Sequence, residues 1–128
     1  MEKKQQTLFI IDFDGCVVKH AFPEIGENIG AQAVLRKLVT NDHKIILNTS
    51  RNHTDGTIDE AVQWFKDNEI PLSGVNFRPQ LDPSNPYAYV IIDDSALGCP
   101  LIQNHGQLPY VDWVNVHFQL DKLGYFNS

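Results

Sequence analysis

Residues 7–15 read Thr7-Leu8-Phe9-Ile10-Ile11-Asp12-Phe13-Asp14-Gly15. A short continuous apolar run of this kind is the pattern of a strand buried on both faces. It ends abruptly in two carboxylates and a glycine. The same plan recurs twice. Lys44-Ile45-Ile46-Leu47-Asn48 leads into Thr49-Ser50-Arg51, and the apolar run Tyr87 to Ile92 leads into Asp93-Asp94-Ser95. Three strands are therefore expected, each with polar chemistry at its carboxyl end.

Helical periodicity fills the intervals. Ala31, Val34, Leu35, Leu38 and Val39 lie at helical spacing, as do Ile58, Ala61, Val62 and Phe65. Thr57 with Glu60 reads as a capping box for the second helix. Gly74 to Phe77 reads as a brief third strand and Pro109 to Val111 as a short fifth. Trp113, Val116, Leu120 and Leu123 form a closing helix that Gly124 is placed to end. Alternating strands and helices predict one α/β domain over residues 1–128, a three-layer Rossmann-like fold with a mostly parallel sheet. Arg78 to Pro86 holds three prolines and is too short for a helical crossover, so an extended connection is expected there.

Composition narrows the function. The 128 residues carry 16 acidic against 10 basic side chains, net −6, and 42% are hydrophobic. A chain of this size can build one core without staples. No basic patch favours a nucleic-acid backbone. No apolar run approaches the ~20 residues of a membrane span. Cys16 and Cys99 form no disulfide framework, and the first residues lack a secretory signal. A cytoplasmic setting is the expectation.

In open α/β sheets the site lies beyond the carboxyl ends of the strands. Asp12, Asp14, Asp93, Asp94 and Thr49 would converge there. Carboxylates crowded together stay ionised at neutral pH only around a cation. An oxygen-only ligand set favours a hard ion, and Mg2+ commonly binds one or two carboxylates plus phosphate oxygens. Asp12 and Asp14 point the same way in an extended chain. One suits attack on phosphorus and the other proton transfer. Gly15 lets the chain turn past the site. A calcium loop fails, because its fifth and twelfth positions fall on Cys16 and Pro23.

Asp12-Phe13-Asp14-Gly15-Cys16-Val17 after Leu-Phe-Ile-Ile resembles the first motif of the haloacid-dehalogenase superfamily. Thr49-Ser50-Arg51 and Asp93-Asp94 resemble its second and fourth. His20 to Glu27 and Leu97 to Pro100 resemble a small bacterial subgroup of phosphatase-like proteins. The resemblance implies a phosphatase working through an aspartyl phosphate. Asp12 would be nucleophile and Mg2+ ligand. Asp14 would be general acid/base, with its backbone carbonyl on the metal. Thr49 would donate to the phosphoryl group. Asp93 and Asp94 would complete the metal site, Asp94 directly or through water. Gly15, Ser50 and Arg51 are placed as substrate-binding, Arg51 reading equally as a salt bridge that holds its loop.

Two departures stand out. Cys16 replaces the usual Thr or Val. The third-motif cation is Lys in most members, whereas Arg78 is the one Lys or Arg between Lys66 and Lys122. Neither Cys16 to Glu27 nor Arg78 to Pro86 is long enough for a lid domain. The resemblance is therefore to the capless type, whose open site accepts large substrates or is covered by a second copy, as in a homodimer. Residues 16–27, with His20, Phe22, Pro23 and Glu24, form a flap; His20 and His53 read as surface histidines. The alternative function is an inactive phosphate- or metal-binding module. A phosphoacceptor receiver fits poorly, because no Lys stands near Pro109.

Overall fold

The computed structural model describes residues 6–77, 83–84 and 89–126. In chain order the elements are β1 (Leu8–Ile11), α1 (Ala31–Thr40), β2 (Lys44–Leu47), α2 (Thr57–Asp67), β3 (Gly74–Val75), β4 (Tyr89–Ile92), β5 (Leu101–Ile102), β6 (Tyr110–Val111) and α3 (Trp113–Lys122). Four strands form one sheet in the order β3-β2-β1-β4, all parallel. This is the expected α/β Rossmann-like class. Arg78 and most of the Arg78–Pro86 connection lie outside the described residues.

The apolar run of β1 lies between β2 and β4. Phe9 stands beside Ile45 and Val90, and Ile11 beside Leu47 and Ile92. Side chains in one register row share a sheet face. That face meets Val34, Leu35 and Leu38 of α1, Trp64 and Phe65 of α2, and Val116 and Leu120 of α3 in one apolar cluster. Each fully buried aliphatic or aromatic side chain there contributes about 1.5–3 kcal/mol. Ile10 and Ile46 point to the opposite face and are buried too.

Two local expectations fail. Tyr110–Val111 does not join the parallel sheet. It pairs antiparallel with Leu101–Ile102, a strand not expected from local pattern. This small ribbon clamps the turn after β1: Val111 N–H donates to the Gly15 carbonyl at 3.0 Å, and Trp113 Nε1 donates to the Cys16 carbonyl at 2.6 Å. Thr57 and Glu60 form no capping box either. The residue before α2 is Gly56 at φ +77°, with no side-chain cap, and the Thr57 hydroxyl donates to Asp55 Oδ1 at 2.6 Å. Gly124 ends α3 as read, at φ +90°.

His43 secures the far end of the sheet. Thr7 N–H donates to its Nδ1 at 3.1 Å, and its Nε2 reaches the Tyr125 carbonyl at 2.7 Å. The first nitrogen accepts, so the second carries the proton. Phe9 and Tyr125 pack edge-on against the ring.

Candidate functional site

Register places the polar residues. Because β1, β2 and β4 run parallel with Ile11, Leu47 and Ile92 in one row, the residues after them emerge together at one rim. Asp12, Asp14, His20, Phe22, Ser50, Asp93, Asp94 and Ser95 line a cleft of about 380 Å³.

Three carboxylates form its floor. Asp12, Asp93 and Asp94 each offer an oxygen, and those oxygens lie within 4.8 Å of one another. Opposite ligands on a Mg2+ ion stand about 4.2 Å apart, so the spacing of this donor set is compatible with a hard divalent cation. Asp12 carries the electrostatic signature. Burial pushes its carboxyl up to about 8, a Phe13 N–H pulls the other way, and Asp93 and Asp94 raise it further. Without a cation Asp12 therefore keeps its proton at neutral pH. A divalent ion would replace that proton and the mutual repulsion together. Asp93 is oriented by Ser95, whose N–H and hydroxyl both donate to Oδ1, at 2.9 and 2.8 Å.

Asp14 leaves this group. Its side chain belongs to Arg51, whose Nε donates to Oδ2 at 2.8 Å and whose Nη2 donates to Oδ1 at 2.7 Å. Arg51 is 2% exposed. Its remaining donors reach the carbonyls of Pro23, Glu24 and Thr57 at 3.2, 2.8 and 3.4 Å. A guanidinium has five N–H groups, and all five are engaged within the chain. Arg51 therefore corresponds to the salt bridge of the two readings, and no donor is left for a substrate. The carboxylates brought together, which could hold a metal ion, are Asp12, Asp93 and Asp94; the Asp14 carboxylate is held apart, facing the cleft.

The flap is pinned from both sides. Arg51 lies 4.9 Å from the Phe13 ring centroid and 5.1 Å from that of Phe22. His20 reaches across the chain: its Nε2 is 3.1 Å from both Asp94 Oδ2 and the Pro109 carbonyl. Both neighbours are oxygens, so the hydrogen-bond network puts the proton on Nε2. His20 is exposed, as the surface reading has it, and from there it touches a floor carboxylate. His53 is exposed as well, beside Asp59. Gly15 explains the close approach. At φ +78°, a Cβ there would collide with the His20 ring and come within 2.8 Å of Asp94 Oδ2. Gly15 shapes the site: its N–H donates to the Val18 carbonyl and its carbonyl accepts from Val111 N–H.

Thr49 and Ser50 stand at the rim. Thr49 Oγ1 accepts from Arg51 N–H at 3.1 Å; for the hydroxyl proton there is no acceptor among the described residues. Ser50 is exposed and lines the cleft. Cys16 is fully buried and donates to the Ile92 carbonyl at 3.2 Å. Burial, with Asp12 next in effect, pushes its thiol up. Burial also raises Cys99. Both thiols are held away from the reactive thiolate form. Lys19 turns to Glu27 and the Tyr110 ring.

No protein-family model and no curated protein sequence matches the chain. Among solved structures it is similar to a conserved protein from Bacteroides thetaiotaomicron, with 26% identity over 93% of each chain and a TM-score of 0.67.

Proposed function

We propose that the chain is a Mg2+-dependent phosphatase that hydrolyses phosphate monoesters through an aspartyl phosphate on Asp12. The observation that carries the reading is the triad at the strand ends: three oxygens within 4.8 Å, one belonging to a carboxyl that burial has raised to about 8. Such a group is poised for a cation and a phosphate. The resemblance of the three motifs to the haloacid-dehalogenase superfamily supports the same assignment.

Asp12, Asp93 and Asp94 would hold the ion, which supplies positive charge that keeps Asp12 ionised and stabilises the phosphoryl oxygens. A carboxylate oxygen of Asp12 forms the new bond to phosphorus as the ester P–O bond breaks. The leaving oxygen takes a proton from the Asp14 carboxyl. In the second half, Asp14 as carboxylate takes a proton from water, whose oxygen bonds to phosphorus and releases Asp12 and inorganic phosphate. The proton gained there serves the next leaving group. Arg51 fixes the Asp14 rotamer throughout. Thr49 offers its hydroxyl proton to a phosphoryl oxygen. Arg78 is proposed as the third-motif cation. Free cysteines accord with a reduced, cytoplasmic setting.

Purified protein with Mg2+ is expected to release phosphate from p-nitrophenyl phosphate, with chelator and Asp12→Asn each abolishing release. Undiminished turnover in that variant removes the covalent mechanism. One observation favours a second reading, the inactive phosphate- or metal-binding module: Arg51 engages both Asp14 oxygens. That module would be stabilised by Mg2+ and inorganic phosphate while hydrolysing nothing.

A further inference from the structure

We infer that Phe22 makes the cleft selective for phosphate esters whose leaving group presents a flat, uncharged face, as a nucleoside does; the inference rests on the phosphatase reading above. Phe22 is 57% exposed. A single exposed apolar side chain is ordinary on a protein surface. This one is held unusually firmly. The carbonyls of the next two residues, Pro23 and Glu24, accept from Arg51, and the ring lies on that same guanidinium, 5.1 Å from its centroid. Arg51 has no exposed side-chain surface and no free donor, so it cannot swing out to meet a ligand. What it presents to the cleft is an aromatic ring backed by a planar cation.

The ring shares the cleft with Asp12, the attacking group, and with Ser50 at the rim. A leaving group extending from a phosphoryl on Asp12 has this surface beside it. Stacking needs a planar partner and little else, because a rigid aromatic side chain loses little entropy on contact. Charge sharpens the choice. Asp12, Asp14, Asp93 and Asp94 all line the same cleft, so a second phosphate or a carboxylate on the leaving group enters an acidic field. A neutral base or aryl ring does not.

Non-hydrolysable methylenephosphonates isolate binding from turnover. Wild-type protein with Mg2+ would be titrated calorimetrically with the 5′-methylenephosphonates of adenosine and of ribose, which differ only in the base. The adenosine compound is expected to bind about tenfold more tightly. The ratio should fall towards one in Phe22→Leu and in Phe22→Gln, and persist in Phe22→Tyr. Equal affinities in the wild type, a ratio unchanged in both non-aromatic variants, or no binding of either phosphonate overturns the inference. Hydrolysis of p-nitrophenyl phosphate by the wild type, run alongside, reports on turnover: a base preference without turnover removes the catalysis and keeps the ring's role.

Discussion

Asp12 and Asp14 stand two residues apart at the end of one strand, yet the chain treats them in opposite ways. Asp14 meets a buried guanidinium through both oxygens. Asp12 meets two more carboxylates, and burial with their charge raises it to about 8. Arg51 completes the first pair from within the chain. The second group is complete only when something positive arrives from outside. A fold that places its cation two residues after a rim threonine, and aims it away from the acidic floor, separates a structural charge from a receptive one.

The comparison breaks most visibly at Arg51. Arg51→Met takes the guanidinium's donors from the Asp14 carboxylate and from the Pro23 and Glu24 carbonyls. The expected loss is about 3–5 kcal/mol, read from urea unfolding midpoints. Arg51→Lys recovers only part, because one ammonium cannot span five acceptors in the fork geometry. A loss below about 1 kcal/mol would mean that the pair is not the anchor described.

The receptive side is exposed by pH. Asp12 titrates at 3.8 when unfolded and at about 8 in the fold. Between those values the folded state binds the extra proton, so stability falls as pH rises. In chelator, the melting temperature is expected to drop by roughly 5 °C from pH 5 to pH 8.5. Saturating Mg2+ should flatten the slope, and Asp12→Asn should remove both the slope and the Mg2+ response. A melting temperature that climbs over this range contradicts the crowding of the floor.

Smaller effects follow from the groups that orient the floor. His20 donates to Asp94 Oδ2, and His20→Ala is expected to weaken Mn2+ affinity about tenfold by titration calorimetry. Ser95→Ala removes one hydroxyl bond to Asp93, an effect of about 1 kcal/mol or less on Mn2+ binding. Unchanged affinity in both variants would say that the floor is held by the backbone and not by these side chains.

Much of the fold was legible because it rests on local pattern. Leu8–Ile11, Lys44–Leu47 and Tyr89–Ile92 are apolar runs with polar ends, and the helices announce themselves by period. In the ribbon, Tyr110–Val111 could be read as a strand, but its partner Leu101–Ile102 and their antiparallel pairing could not, because two residues establish no period. Its register depends on contacts with Gly15 and Cys16 nearly a hundred positions earlier. The site divides similarly. Asp12, Asp93 and Asp94 follow strand ends and could be read. Arg51 could be noticed beside Thr49, but its partner Asp14 is 37 residues away. His20 belongs to a loop without periodicity and meets Asp94 across 74 residues. The one local hint was Gly15, whose missing Cβ makes room for the ring.

His43 has a consequence for handling the molecule. Thr7 and Tyr125 meet on its two nitrogens, at the amino ends of the strands. The cleft lies at the other end, a four-residue strand away, roughly 13 Å. A covalent splice across that seam, with fresh termini cut into the exposed turn at His105 and Gly106, would give a circular permutant that keeps the cleft's strand ends in register.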